Sequence, residues 1–234
     1  EGLHNEAQLF PFISSCNLAC GGHAGDPETM KQVIALAIKH DIKIGAHPSY
    51  PDREHFGRKS MSLPPEELQE SIRAQVRQLD TLLKDQGASM HHIKAHGALY
   101  NDLAKDKTLA LTYLESILPY KDTISLYVAF GSVIADEAVK IGFDITYEAF
   151  GDRNYTKDLS LVPRSEANAL ITDPKRVLDH LLSMIQKDEV LIPGGKRVPI
   201  IADTLCIHGD TDGVYEILMY LSEELPKHHI RLEK

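Results

Sequence analysis

Six short runs rich in apolar and β-branched residues recur along the chain, and longer stretches with helical spacing separate them. The runs are Phe12–Ser15, Lys43–Ala46, His92–Ala95, Ile124–Ala129, Asp144–Tyr147 and Ile200–Ile207. Asp26-Pro27-Glu28 reads as an N-cap, a first-turn proline and a first-turn acid, and Met30, Val33, Ile34, Ala37 and Ile38 then fall on one helical face. Ser62-Leu63-Pro64-Pro65-Glu66 opens a second helix carrying Leu68, Ile72, Val76, Leu79 and Leu83, which Gly87 ends. Further helices are expected over Lys105–Leu118, Ser132–Ile141, Asp173–Ile185 and Asp212–Leu225. Strand–helix alternation of this kind requires parallel strands joined by crossover helices. A (β/α) barrel, with one further strand missing at the front, and an open doubly wound sheet both meet that requirement.

At 234 residues, with no interior linker, repeat or low-complexity segment, the expectation is a single α/β-barrel domain over residues 1–234. A formal charge of -9 argues against non-specific binding to nucleic acid or to an anionic membrane. The three cysteines, Cys16, Cys20 and Cys206, are an odd and small number for a chain of this size, which argues against a disulfide framework. They are expected to be small core residues in a reducing, cytoplasmic setting. No signal peptide and no apolar run of membrane-spanning length are visible.

In both architectures the active site lies at the carboxyl ends of the strands. Those ends hold an unusual concentration of titratable groups: His23 and Asp26 after the first run, His47 after the second, Lys94 and His96 at the third, Glu148, Asp152 and Arg153 at the fifth, His208 and Asp210 at the last. A histidine beside glycine is often only a turn residue. Four at equivalent positions (His23, His47, His96 and His208) make a shared polar pocket the better joint reading. His40, His91, His180, His228 and His229 are expected to be solvated, with His55 and His92 left open. Asp26 is explained equally well as a plain N-cap. Glu148 and Asp210 would be costly to bury alone, and Lys94 and Arg153 are natural partners for them or for an anionic substrate. Histidines and carboxylates supply proton transfer and the cations supply charge stabilisation. There is no Gly-x-Ser-x-Gly elbow and no Gly-x-x-x-x-Gly-Lys-Ser/Thr loop, which favours attack by an activated water and excludes ATP binding through a Walker motif. The spacings do not diagnose a divalent metal, which stays open.

Several segments are more specific. Asn17-Leu18-Ala19-Cys20-Gly21-Gly22-His23-Ala24-Gly25-Asp26, Gly45-Ala46-His47-Pro48-Ser49-Tyr50-Pro51-Asp52 with Phe56-Gly57-Arg58, Lys94-Ala95-His96-Gly97-Ala98-Leu99-Tyr100-Asn101, Glu148-Ala149-Phe150-Gly151-Asp152-Arg153-Asn154-Tyr155, Leu161-Val162-Pro163-Arg164 and Cys206-Ile207-His208-Gly209-Asp210-Thr211 closely resemble the LamB/YcsF family, the A subunit of bacterial ATP-hydrolysing 5-oxoprolinase. The resemblance implies a distorted (β/α) barrel of the glycoside hydrolase/deacetylase type. It implies cleavage of 5-oxoproline to glutamate, coupled to ATP hydrolysis, with separate B and C subunits as partners. Carried onto this sequence, it places His23, Asp26, His47, Lys94, His96, Glu148 and Asp210 as catalytic residues. Asn17, Arg58, Tyr100, Asp152, Arg153 and His208 become substrate contacts. His47 or His96 would act as base, and Asp26 or Glu148 as acid or orienter. Lys94 and Arg153 would contact carboxylate or phosphate. Two other readings compete: a metal-dependent carbohydrate deacetylase or amidohydrolase, and a non-catalytic carrier subunit. Three departures from the family pattern stand out. Only Glu1-Gly2 remains of the usual opening acidic run, Ala95 replaces a usual Pro, and the loop at Asp158-Leu159-Ser160 lacks its usual Gly while Gly151 replaces a usual Ala.

Overall fold

The computed structural model describes residues 5–233. Glu1-Gly2 lies outside them. The described chain starts with a short helix, α1 (Glu6–Leu9), and a 3-10 turn over Phe10–Phe12. Pro11 sits in that turn, so the first strand is not the expected Phe12–Ser15 but β1 (Ser15–Ala19). There follow α2 (Pro27–Lys39), β2 (Lys43–His47), α3 (Pro65–Asp85), β3 (His92–Ile93), α4 (Gly97–Leu103) and α5 (Lys107–Ile117). The remaining elements are β4 (Ser125–Ala129), α6 (Val133–Ile141), β5 (Asp144–Phe150), α7 (Pro174–Lys187), the hairpin β6 (Glu189–Leu191) with β7 (Arg197–Pro199), β8 (Thr204–Cys206) and α8 (Val214–Glu224).

The helix-start signals in the sequence act as read. Asp26 Oδ1 accepts from the backbone N–H of Glu28 and Thr29, and Ser132 and Asp173 cap α6 and α7 in the same way. In α3 the stripe Leu68, Ile72, Val76, Leu79 and Leu83 is buried, each side chain contributing on the order of 2 kcal/mol by leaving water. The hairpin and α4 have no clear signal in the sequence. The ladder of β3 stops two residues short of the expected Ala95. Backbone bonds still run from Lys94 N to Ala46 O and from His96 N to Pro48 O, so the segment stays seated beside β2.

Six strands form one sheet in the order β1-β2-β3-β4-β5-β8, and every neighbouring pair is parallel. The order never reverses. A doubly wound sheet needs a reversal, where its helices change faces. Here the helices form an outer layer, with α2 against α3, α3 against α5 and α5 against α6, and α7 against α8 as a second group. The fold is therefore a distorted half-barrel. Between β8 and β1 the layer is completed by α1, whose Leu9 packs on Val214 and Leu218 of α8.

The inner face is polar. In register across the sheet lie Asn17, Gly45, His92 and Ser125. His92, left open by the sequence, is fully buried, stacked on Tyr127 at 4.0 Å between ring centroids and hydrogen-bonded to Asn17 Oδ1 at 2.9 Å. Burial, with His91 and Lys94 nearby, holds its imidazole well below the usual range and therefore neutral. Gly45 makes room for it, since a β-carbon there would lie 2.1 Å from His92 Nε2. His180, expected to be solvated, is instead buried, with Nε2 3.0 Å from Arg153 O and its ring beside Tyr155. It lies on the α7 face that carries Val177, Leu181 and Met184 into the core.

Candidate active site

The carboxyl ends of the strands open into a cavity of about 680 Å³. Its walls include His47, Arg58, Lys94, His96, Tyr100, Glu148, Arg153, Arg164 and His208. All of these but Arg164 are site candidates from the sequence. Within the cavity they sort into four groups.

The first is a histidine cluster. His47 Nδ1 is 2.8 Å from Lys94 O, His47 Nε2 is 3.0 Å from His96 Nδ1, and His96 Nε2 is 2.9 Å from Phe56 O. Both outer partners are carbonyls and can only accept. Three hydrogen bonds therefore need three N–H groups, while two neutral imidazoles supply two. With all three bonds formed, the pair holds one proton more than two neutral rings, shared across the inner contact. His23 lies flat on His96, with centroids 3.6 Å apart and planes within 3°. Gly97 permits the turn that follows His96: its φ is +60°, and a β-carbon there would sit 2.4 Å from Gly57 O.

The second is a buried ion pair, Lys94 Nζ to Glu148 Oε2 at 2.8 Å, with both side chains at most 4% exposed. Lys94 Nζ also lies 4.8 Å from the Phe150 ring centroid and 3.4 Å from Cys206 Sγ. Burial pulls the Lys94 ammonium down, but its anionic surroundings more than offset this and hold it above the usual lysine range. Burial pushes the Cys206 thiol up to about 12, so the thiol is protonated at neutral pH and Glu148 is the anion that holds Lys94. Burial and then the charge of Glu148 likewise keep the Tyr100 phenol protonated. Cys206, expected to be a core residue, thus also touches the site.

The third is Asp152 with His208. The carboxylate is fully buried and accepts from His208 N, His208 Nδ1 and Thr211 Oγ1, at 3.0, 3.0 and 2.5 Å. Burial opposes its ionisation, but these donors prevail and bring it down to about 2. With Nδ1–H committed to Asp152, Nε2 is the His208 nitrogen left for proton transfer.

The fourth is a set of three guanidinium groups. Arg153 is buried and spends Nε on Ala169 O and Nη2 on Val162 O. Arg58 and Arg164 share Asp210, at 2.5 and 3.6 Å. Burial, and then the repulsion of Arg164, lower Arg153 to about 10, which leaves it charged at neutral pH.

Two of the candidate residues stand apart. Asp26 is exposed at the N-cap of α2, its carboxylate taken by Glu28 N, Thr29 N and Thr29 Oγ1. Asn17 lies deeper in the barrel, against His92. Arg164 belongs to the Leu161-Val162-Pro163-Arg164 motif, and its place in a loop after a strand end is the one sign the sequence offers. The Phe56 carbonyl carries no such sign, because any residue supplies one. The loop without its usual glycine places Leu159 at φ +62°, a conformation that costs a leucine on the order of 1 kcal/mol. Among the described residues no group of three or more His, Cys, Asp or Glu side chains is placed to hold a metal ion. The nitrogens of His47 and His96 lie within hydrogen-bond distance of each other and of the Lys94 and Phe56 carbonyls.

A sequence model described as the LamB/YcsF family matches residues 2–234. Proteins named as the A subunit of 5-oxoprolinase are similar over most of their length. That of Bordetella pertussis is 43% identical over 208 residues, 89% of this chain and 82% of that protein. That of Limosilactobacillus fermentum is 39% identical, covering 99% of this chain and 92% of that protein. The crystal structure of a lactam utilization protein from Thermus thermophilus superposes with a TM-score of 0.90 at 35% identity, covering 97% of this chain and 91% of that one.

Proposed function

The chain belongs to the LamB/YcsF family, and from that premise we propose that it is the A subunit of an ATP-dependent 5-oxoprolinase, acting with B and C subunits to convert 5-oxo-L-proline to L-glutamate. The observation that carries this reading is the convergence on one cavity of a histidine pair in hydrogen-bond contact, a buried Lys94–Glu148 pair and a buried arginine bonded to two carbonyls. The names of the full-length relatives support it.

A lactam resists water because amide resonance makes its carbonyl a poor electrophile and its nitrogen a poor leaving group. Phosphorylation of the carbonyl oxygen by ATP relieves the first difficulty. The partner subunits supply that step, since this chain has no phosphate-cradling Gly-x-x-x-x-Gly-Lys-Ser/Thr loop. Water then adds to the activated carbon, losing a proton to the His47–His96 pair in its two-proton form, which thereby gains the inner hydrogen bond. The ring nitrogen leaves with a proton returned from the pair or from His208. The resulting acyl phosphate takes a second water, giving glutamate and inorganic phosphate. Lys94, held by Glu148, faces the developing negative charge as a fixed cation. Arg153 holds the substrate carboxylate, and its buried guanidinium makes that contact stronger than it would be in water.

The test is glutamate release from 5-oxoproline by this chain with and without B and C subunits, with and without ATP. Release that requires all of them is expected. No release under any condition, with every subunit folded, would overturn the proposal.

A further inference from the structure

We propose that Arg58 and Arg164 form a phosphoryl subsite at the rim of the cavity, with Asp210 acting as an internal stand-in for the phosphate of the activated substrate. The inference rests on the reading of this chain as the one that hydrolyses a phosphorylated lactam, and it adds where the phosphate sits.

Three distant parts of the chain meet here: Arg58 after β2, Arg164 after β5 and Asp210 after β8. One carboxylate bridges two guanidiniums, Asp210 Oδ2 to Arg58 at 2.5 Å and Oδ1 to Arg164 at 3.6 Å. The three side chains are 26 to 33% exposed, so water and solutes reach them. Ion pairs so exposed are weak, and a better anion displaces the carboxylate at little cost. A phosphoryl group is such an anion, with three acceptor oxygens and up to two charges. Two guanidinium forks match its oxygens in a way a lysine does not.

Charge balance points the same way. Arg58, Arg153 and Arg164 face the cavity, and Asp210 is their one ion-pair partner among the described residues. Asp152 is occupied by His208 and Thr211. The three arginines and Asp210 together carry two more positive than negative charges, while Asp102 and Asp158 line the cavity beside them. Arg153, buried deeper, suits the substrate carboxylate and leaves the two rim arginines for a second anion.

The subsite is also tied to the histidine pair. Arg58 lies over the Phe56 ring at 4.9 Å, and the Phe56 carbonyl is the acceptor for His96 Nε2. An anion on Arg58 thus sits one short segment away from the groups that move the proton.

The experiment is calorimetric titration of the purified full chain with inorganic phosphate at low ionic strength, comparing wild type, Arg164→Gln and Asp210→Asn. Loss of one charged donor should weaken phosphate binding by about tenfold or more. Removing the competing carboxylate should tighten it. Failure of the wild type to bind phosphate at millimolar concentration would overturn the subsite, as would unchanged affinity in Arg164→Gln or weaker binding in Asp210→Asn. These outcomes are separable from the functional reading. A complex that releases glutamate while Arg164→Gln binds phosphate normally refutes the subsite alone. Arginine-dependent phosphate binding in a chain whose complex never releases glutamate refutes the substrate instead.

Discussion

His96 Nδ1 lies 3.0 Å from His47 Nε2, and each ring is fixed at its far side by a backbone carbonyl. The contact is attractive only when a proton occupies it, so the pair can hold and release one proton between its two rings. Replacing His96 by Gln leaves a polar group of similar reach but removes the ring that shares the proton. Turnover of the reconstituted complex should fall by about 10²- to 10⁴-fold. The isolated chain should keep a cooperative thermal transition. Near-normal glutamate release would remove the pair from the mechanism.

Lys94 and Glu148 neutralise each other at the cavity wall, with both side chains at most 4% exposed. Removing one charge leaves the other buried and unpaired. Lys94→Met should cost about 3–5 kcal/mol of stability, read from urea denaturation of the isolated chain. Replacing both, as Lys94→Met with Glu148→Leu, should restore most of that loss while leaving the complex inactive. If the single variant is as stable as wild type, the pair has no structural role.

Asp152 gives a signed dependence on pH. Its carboxyl is depressed from the ordinary 3.8 to about 2 in the folded chain. The stability it contributes, on the order of 2 kcal/mol, is fully present above pH 4 and is lost as pH falls from there toward 2. Asp152→Asn should therefore be less stable than wild type at pH 6, and the gap should narrow as pH drops from 4 toward 3. A gap that stays constant over that range would show that the charge of Asp152 contributes nothing.

Gly45 faces a ring that has nowhere to go. His92 is held between Tyr127, Asn17 and the β2 backbone. Gly45→Ala should cost about 1–3 kcal/mol by overpacking. Adding His92→Ser should recover part of it by freeing the space. Full stability of Gly45→Ala alone would mean that the inner face of the barrel yields more readily than its polar contacts suggest.

The sequence determined the alternation of strands and helices, because helical spacing and capping are local. Asp26, Ser132 and Asp173 cap their helices by bonds spanning two or three residues, and no tertiary contact is needed to read them. It also determined which end of the sheet carries the chemistry, since parallel strands send all their carboxyl ends to one side. Tertiary structure decided the rest. That the sheet winds in one direction, with β5 paired to β8 across an inserted hairpin, depends on pairing between segments far apart in the chain. Of the four strand-end histidines, His23, His47 and His96 meet because β1, β2 and β3 are neighbours, while His208 is drawn to Asp152 instead. His180 reads as solvated in the sequence because its helix exposes one face and buries the other, and only the packed neighbour shows which face it is on. Arg164 and the Phe56 carbonyl are hard to read for the same reason: a cation in a loop or a backbone oxygen acquires a role only from what the fold places opposite it.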